Sequence, residues 1–128
     1  MQISKNFKRY EFACQCGCGF DAADKTLVDT LEDVREHFVK KYPQRKIFIK
    51  INSGNRCLRH NAKVGGATRS KHLYGMAVDF VVNSVHSNEV ADYLENKYPD
   101  WFGIGRYDNR THLDSRVKPA RWDMRTKK

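Results

Sequence analysis

Residues 76–82 read Met-Ala-Val-Asp-Phe-Val-Val, a strongly apolar run that contains one acidic residue. Its short length and its β-branched and aromatic side chains predict a β-strand. A carboxylate inside such a strand needs a partner, because burying an unpaired charge costs several kcal/mol. Asp79 is therefore expected either to form a salt bridge with one of the many Lys and Arg residues or to bind a metal ion.

Two amphipathic helices are predicted on either side of this strand. In the first, apolar residues recur every three or four positions over residues 27–38, with Asp24 as a plausible N-cap and Pro43 after the end. The second covers residues 88–97, with Ser87 as its cap. Each helix has one apolar stripe, which we expect to pack against the sheet.

The order of the remaining segments predicts the fold class. An irregular lead-in covers residues 1–23, a strand over 46–51 stops at Ser53-Gly54, and a short helix follows over 56–64. Two strands over 103–107 and 111–116 are joined by a turn at Asp108-Asn109. The tail over 117–128 is basic and is expected to be ordered only near Trp122. Together they predict one α+β domain over residues 1–128 with a small, mostly antiparallel sheet.

Composition narrows the class of protein further. The 24 Lys and Arg residues outnumber the 15 Asp and Glu residues in this 128-residue chain, which gives a net charge of +9. An aromatic content of 12% is enough for a packed core. No apolar run approaches the roughly 18 residues of a membrane span, and the N-terminus lacks the apolar stretch of a signal peptide. The charge predicts a polyanionic partner or environment.

Three of the four cysteines are clustered in Cys14-Gln15-Cys16-Gly17-Cys18, and the fourth is Cys57. This spacing is a poor match to the paired cysteines of structural zinc sites. Small buried residues in a Gly-rich turn are the simpler interpretation. A disulfide between Cys57 and the cluster becomes an alternative if the protein acts outside the cell.

Two histidines complete a candidate metal site with Asp79. His72 stands seven residues before Asp79, and His112 lies in the last predicted strand beside an apolar residue. Two neutral imidazoles and one carboxylate suit catalytic zinc, which keeps three protein ligands and one open position. Each histidine taken alone is more simply a packed or exposed side chain, so the zinc interpretation depends on all three residues together.

Residues 70–79 read Ser-Lys-His-Leu-Tyr-Gly-Met-Ala-Val-Asp, the pattern S-x-H-x-x-G-x-A-x-D. This pattern resembles the zinc-site motif of the M15 family of peptidoglycan peptidases, which includes D-Ala-D-Ala carboxypeptidases and related phage endolysins. Residues 53–67 resemble the family's S-G-x-R…H-N…V-G-G-A segment, and residues 103–116 resemble the G-x-G…H-x-D-x-R ending of its short, single-domain members. Because residues 12–33 are also similar, the resemblance covers nearly the whole chain.

This resemblance implies a fold, a cofactor and a set of site residues. It implies the hedgehog/DD-peptidase-like arrangement, in which a small, mostly antiparallel sheet carries a zinc site and helices pack on its other face. It implies that His72, Asp79 and His112 ligate Zn2+, and that Arg56 and Ser70 bind substrate. A guanidinium at position 56 would offer two parallel donors to a carboxylate of the stem peptide, although a structural salt bridge is the alternative.

The chain departs from the family at the residue that acts as general base in many of its members. Many M15 enzymes place Asp or Glu three residues before the last zinc histidine, but this position holds Asn109, which cannot accept a proton. Asp114 follows His112 by two residues and so shares its face of the strand. It is the favoured candidate for the base, and the alternative is that it orients a zinc histidine. Asp108, in the turn, could reach over the site.

The function implied by the resemblance is zinc-dependent hydrolysis of a peptide bond in the peptidoglycan stem peptide. The bond is either a terminal D-Ala-D-Ala bond or the L-Ala-D-Glu bond. Zinc would lower the pKa of its water from 15.7 toward roughly 7, and a carboxylate would take the proton. One alternative, suggested by Asn109, is an inactive zinc-stabilised cell-wall-binding or virion protein. A basic nucleic-acid-binding module is the other, but no motif of that class is found.

The partner and location follow from the same reasoning. We expect a monomer that acts on the stem peptide and binds no specific nucleic acid. The lack of a signal peptide suits a phage lysin or virion-associated enzyme, cytoplasmic until release, that another factor delivers to the wall. The +9 charge would then hold a small catalytic domain to an anionic wall.

Overall fold

A five-stranded sheet and two long helices form the part of the chain that the computed structural model describes, residues 2–14, 24–54 and 76–126. The elements are, in chain order, a 3-10 helix (Arg9–Phe12), α1 (Lys25–Lys41), β1 (Ile49–Ser53), β2 (Ala77–Val82), α2 (Ser87–Lys97), β3 (Gly103–Arg106), β4 (Thr111–Asp114) and β5 (Ala120–Asp123). The predicted α+β class is confirmed. The short helix predicted over 56–64 lies outside the described residues.

Helix α1 confirms the predicted apolar stripe and its cap. The carboxylate of Asp24 accepts a hydrogen bond from the backbone N–H of Leu27 at 3.2 Å, and the helix ends one residue before its C-cap, Tyr42. The stripe is fully buried and consists of Leu27, Leu31, Val34 and Phe38. Neither α1 nor any other helix in the described ranges is long and apolar enough to cross a bilayer.

Helix α2 begins one residue earlier than predicted. Its N-cap is His86, which has an extended backbone and whose Nδ1 accepts a hydrogen bond from the N–H of Asn88 at 3.1 Å. Ser87 is already helical, and its hydroxyl faces the carbonyl oxygens of Tyr107 and Asp108 at 3.4 Å. The prediction of Ser87 as the cap was wrong because an imidazole with an available ring nitrogen can accept the same backbone hydrogen bond.

The sheet has the strand order β1-β2-β4-β3-β5. The first three pairings are antiparallel, and β5 pairs with β3 in parallel. The mostly antiparallel prediction is therefore confirmed, whereas β5 lies in the tail for which no strand was predicted. Strand β1 begins at Ile49 rather than at residue 46, because its partner β2 ends opposite Ile49, at Val82.

The two faces of the sheet differ in character. One face and both helices enclose the apolar core, to which the sheet contributes Ile49, Val78, Phe80, Val82, Ile104 and Leu113. Because side chains alternate along a strand, the opposite face of the central strands carries Asp79, His112 and Asp114. The core thus supports the sheet from behind while these polar side chains occupy its other surface.

The described part of the lead-in, residues 2–14, holds the 3-10 helix and contributes to the core. Phe7 and Phe12 are each 1% exposed and pack edge-to-face with ring centroids 6.0 Å apart. A Cβ atom at Gly54 would lie 2.7 Å from the Cα of Phe12, so the end of β1 passes closely beside the 3-10 helix. Cys14 is buried, as expected for it from the sequence. The other three cysteines, Cys16, Cys18 and Cys57, lie outside the described residues.

Candidate active site

Asp79 and His112 face each other across the centre of the sheet. They are direct partners in the antiparallel register of β2 and β4. Asp79 Oδ1 lies 3.0 Å from His112 Nδ1, and each residue is 8% exposed. The buried carboxylate of Asp79 therefore has an imidazole beside it, which is a polar partner of the kind that a buried charge requires.

Asp114 lies on the other side of the same imidazole. Its Oδ2 is 2.9 Å from His112 Nε2, and its side chain has no exposed surface. The Arg116 guanidinium donates from Nε to Oδ1 at 2.7 Å and from Nη2 to Oδ2 at 2.8 Å. The backbone N–H of Gly103 adds a hydrogen bond to Oδ1 at 3.0 Å. Both oxygens of this buried carboxylate are thus satisfied.

These contacts determine the charge of the site. Burial by itself would raise the pKa of Asp114, but hydrogen bonds from His112 and Arg116 outweigh it and hold the pKa well below its usual range. Burial by itself would lower the pKa of His112, but hydrogen bonds with Asp114 and Asp79 raise it above its usual value. Asp114 is therefore an ionised acceptor at physiological pH.

Two glycines on β3 leave room for the site. A Cβ atom at Gly103 would lie 2.3 Å from Oδ2 of Asp114, and one at Gly105 would lie 2.4 Å from the indole of Trp122. Both separations are too short for any side chain. The Gly-Ile-Gly segment thus lets a carboxylate and an indole lie directly over the backbone of β3.

Trp122 brings the tail strand against the site. Its indole centroid is 4.8 Å from that of His112, and its Nε1 donates a hydrogen bond to the Tyr107 hydroxyl at 3.0 Å. The Arg116 guanidinium lies 5.6 Å from the indole centroid. The sequence indicated only that the tail is ordered near Trp122. The signal that could have placed it at the site is the pair of glycines at alternate positions of β3, which is typical of a close approach by another group.

Arg110 was also missed by the sequence analysis. Its guanidinium lies 4.0 Å from the centroid of the Tyr107 ring, and its Nε is 3.9 Å from Asp79 Oδ2. Arg110 precedes β4 by one residue and has the same parity as His112 and Asp114, which places the three on one face. No sequence motif distinguishes it from the many other basic residues.

The turn before β4 holds the other residues considered for proton transfer. Asp108 is exposed and accepts hydrogen bonds from the Thr126 N–H at 3.0 Å and from the Thr126 hydroxyl at 2.9 Å. Within the described ranges, none of its hydrogen bonds reaches Asp79 or His112. Asn109 accepts from Arg110 Nη1 at 3.4 Å. The side chain of Asp108 is therefore bound to Thr126 of the C-terminal tail.

The described residues supply two of the three predicted metal ligands. Asp79 and His112 present one oxygen and one nitrogen donor of the kinds that zinc takes, already adjacent and supported by Asp114. No group of three or more His, Cys, Asp or Glu side chains arranged for a metal is found in the described part of the chain. The third predicted ligand, His72, lies outside it, as do Arg56 and Ser70. The donors that are present fit a zinc site that a third ligand completes.

The family model described as Peptidase M15 matches residues 5–114, which include β1 to β4, both helices, and the Asp79, His112 and Asp114 cluster. No curated protein matches the chain. Because the match covers most of the sequence, the chain belongs to the M15 family of peptidases.

Proposed function

We propose that the protein hydrolyses a peptide bond of the peptidoglycan stem peptide with a zinc ion held by His72, Asp79 and His112. Membership of the M15 peptidase family supports the reaction class. The observation that carries the metal assignment is the buried pair of Asp79 and His112, 3.0 Å apart, with the ionised carboxylate of Asp114 behind the imidazole. Carboxylate–histidine pairs of this kind orient metal ligands in proteins.

His112 and Asp79 would present their donors on the same side of the sheet. Nδ1 of His112 already faces Asp79, so this nitrogen is the one we assign to the metal. Nε2–H would then donate to Asp114, which fixes the tautomer that leaves Nδ1 with its lone pair. When bound, zinc supplies a Lewis acid that activates water and polarises the scissile carbonyl.

Of the two roles that the sequence left open for Asp114, its contacts favour orientation of His112. A general base must exchange protons with water or substrate and must have a pKa near the working pH. Asp114 has no exposed side-chain surface, accepts a two-point hydrogen bond from Arg116, and has a strongly lowered pKa. We therefore assign it to holding the imidazole in place.

Asp108 is the other candidate base that the sequence left open, and we propose it for proton transfer. It is the exposed one of the two carboxylates, although its oxygens accept hydrogen bonds from Thr126. A base at this position requires that Asp108→Asn lowers kcat while zinc content and KM stay near their wild-type values. Equal kcat values for the two proteins would contradict this role.

The test of the proposed function is digestion of purified muropeptides, followed by mass spectrometry, with parallel measurement of bound zinc. We expect release of a fragment that identifies the cleaved bond as D-Ala-D-Ala or L-Ala-D-Glu. A chelator should abolish the release, and added zinc should restore it. Fragment release unaffected by chelation would contradict the assignment.

Variants make the test specific to the cluster. His112→Ala and Asp79→Asn should each lose bound zinc and hydrolysis, because each removes one ligand. Asp92→Asn is the matched control, since it removes an exposed carboxylate of α2 that pairs with Arg106. It should keep both properties. A folded His112→Ala protein that cleaves at the wild-type rate would overturn the site.

Asn109 favours one alternative function, a zinc-stabilised protein that binds the wall without cutting it. This residue holds the position where many M15 enzymes have their base, and an amide cannot take up a proton. The same experiment separates the two functions. A protein that binds zinc and sediments with cell wall, but releases no fragment, supports the alternative.

A further inference from the structure

We propose that Arg110 binds a carboxylate of the substrate beside Asp79 and His112, and so selects peptides that carry a negative charge next to the cleaved bond. This inference rests on the proposed function, which it extends from a reaction to a substrate preference. It concerns the guanidinium that stands at the edge of the site on the loop entering β4.

The first support is position. Arg110 Nε lies 3.9 Å from Asp79 Oδ2, and Asp79 Oδ1 lies 3.0 Å from His112 Nδ1. A group bound by the guanidinium therefore lies within a few ångströms of the candidate metal ligands. The Arg110 side chain is 37% exposed, so a ligand can reach it without displacing any of the core.

The second support is the state of its hydrogen-bond donors. A guanidinium has five N–H donors. Within the described residues, Arg110 makes one long hydrogen bond, 3.4 Å to Asn109 Oδ1, and the 3.9 Å contact with Asp79. It therefore keeps donors for a further acceptor.

Four other arginines on the surrounding strands and tail make close hydrogen bonds through their guanidinium groups, unlike Arg110 among the described residues. Arg116 makes a two-point hydrogen bond with Asp114, Arg125 makes one with Asp123, and Arg121 donates to several backbone carbonyl oxygens. Arg106 pairs with both Asp92 and Glu95. These four arginines stabilise the fold through their partners, whereas Arg110 lies beside Asp79.

The third support is preorganisation. The Arg110 guanidinium stacks on the Tyr107 ring at 4.0 Å, and the Tyr107 hydroxyl accepts a hydrogen bond from Trp122 Nε1 at 3.0 Å. Trp122 in turn packs on His112. A guanidinium held on a fixed aromatic ring loses little conformational entropy when it binds a carboxylate, and its planar fork matches two carboxylate oxygens.

The chemistry of the proposed substrates supplies the matching group. A carboxypeptidase substrate ends in a free carboxylate one residue beyond the scissile bond. Cleavage before D-Glu leaves a carboxylate on the residue that follows the cut. Both bonds considered above therefore place a negative charge next to the scissile bond, where a guanidinium beside the metal ligands would meet it.

The test uses two synthetic stem peptides that differ only in this group, one with the carboxylate and one with a carboxamide. The kcat/KM of each is measured with zinc-loaded protein. Binding is measured by calorimetry with analogues whose scissile amide is replaced by a non-cleavable linkage. A charge-assisted two-point contact is worth roughly 10-fold or more. We therefore expect wild type to prefer the carboxylate by about this factor in both measurements.

Arg110→Gln should lower the preference several-fold, mainly by weakening binding of the carboxylate peptide, and Arg110→Lys should lower it less. The matched control is Arg45→Gln. Arg45 also stacks on a tyrosine, with its guanidinium 3.8 Å from the centroid of Tyr42, and its loss changes the net charge equally. This variant should keep the full preference. Bound zinc and thermal stability are compared for all variants, and Arg110→Lys replaces Arg110→Gln if the latter does not fold.

The outcomes separate this inference from the proposed function. An unchanged preference in Arg110→Gln, equal binding of both peptides by wild type, or no binding of either would overturn the role of Arg110. Hydrolysis without discrimination overturns that role alone. Discrimination in binding that depends on Arg110, but without any hydrolysis, supports the role of Arg110 and contradicts the peptidase reaction.

Discussion

Asp114 shows how a single buried carboxylate can organise the surface of a sheet. It lies within hydrogen-bond distance of His112, and it accepts hydrogen bonds from the Arg116 guanidinium and from the backbone N–H of Gly103 on β3. Each contact favours the ionised form, which explains why the group stays charged although it has no contact with water. His112 is consequently oriented by Asp114 and also by the Trp122 indole that packs against it.

Asp114→Asn is predicted to weaken zinc binding about 10–100-fold, because a neutral amide orients and polarises the imidazole less well than a carboxylate does. The measurement is competition with a zinc chelator of known affinity. The same variant should lower the free energy of unfolding of the metal-free protein by roughly 3 kcal/mol, since Arg116 loses its buried partner.

Arg116→Gln is the companion variant for this prediction. It removes the partner of Asp114 but leaves the carboxylate beside His112. It should lower stability while changing zinc affinity much less than Asp114→Asn does. Equal zinc affinities in wild type and Asp114→Asn would refute the orienting role.

At the scale of elements, one of the polar contacts between α1 and α2 is centred on Asp33. Asp33 on α1 accepts hydrogen bonds from the hydroxyls of Tyr93 and Tyr98 at 2.8 and 2.9 Å, and from Lys97 Nζ at 2.6 Å. Burial by itself would raise the pKa of Asp33, but these three donors outweigh it and lower the pKa. Burial and the hydrogen bond to Asp33 raise the pKa of Tyr98 to about 12.

The Asp33 contacts predict a stability that depends on pH. A carboxyl group whose pKa is lowered by folding stabilises the protein above its unfolded pKa, near 3.8, and this contribution is lost as the pH falls through the folded value. A tyrosine whose pKa is raised by folding stabilises below pH 10, and its contribution is lost as the pH rises toward about 12. The contact between α1 and α2 should therefore be strongest between these limits.

Asp33→Asn tests this contact by urea unfolding at two pH values. At about pH 7 it should lower the free energy of unfolding by roughly 1–2 kcal/mol, a value reduced by the partial exposure of the cluster. At about pH 3 the difference from wild type should shrink, because this pH is below the unfolded pKa of 3.8, so the unfolded wild-type chain takes up a proton and the contribution of Asp33 decreases. Asp29→Asn, which removes an exposed carboxylate from the same helix, should have little effect at either pH. A pH-independent difference for Asp33→Asn would argue against the ionised contact.

Strand β5, which was not predicted, carries Trp122 to the candidate site. It adds in parallel to β3 at the edge of the sheet, and Gly105 is paired with Trp122 in that register. The family match ends before β5, at residue 114. Trp122, which packs on His112, thus comes from a segment beyond the matched region. Tyr107, which accepts its hydrogen bond, lies within the matched region and carries the Arg110 guanidinium on its ring.

At the scale of the whole molecule, the net charge of +9 predicts how the domain reaches its substrate. Binding to isolated cell wall should fall as salt rises toward about 0.5 M, because the Debye length shortens from ≈ 10 Å at 0.1 M to about 3 Å at 1 M. Sedimentation with purified wall measures this directly. Wall stripped of its anionic polymers is the control and should bind the protein weakly at any salt. Binding that is insensitive to salt would show that charge does not provide the attachment.

Much of the scaffold follows from local sequence patterns. The apolar stripe of α1, its Asp24 cap and the apolar strand β2 were predicted because each depends on residues close together in the chain. The strands on either side of the Asp108-Asn109 turn were predicted for the same reason. The motifs carried the M15 resemblance, and the family match confirms it.

Local patterns along the chain thus predicted α1, α2 and the central strands, the motifs predicted the family, and Asp79 was recognised as a buried acid that needs a partner. The contacts of Asp114 with Arg116, of Trp122 with His112, and of Arg110 with Tyr107 and Asp79 could be found only from the folded arrangement of the strands. The physical reason is register. These contacts join strands that are neighbours in the sheet but not along the chain, so they depend on which residues stand opposite each other and on how much space a glycine leaves between them.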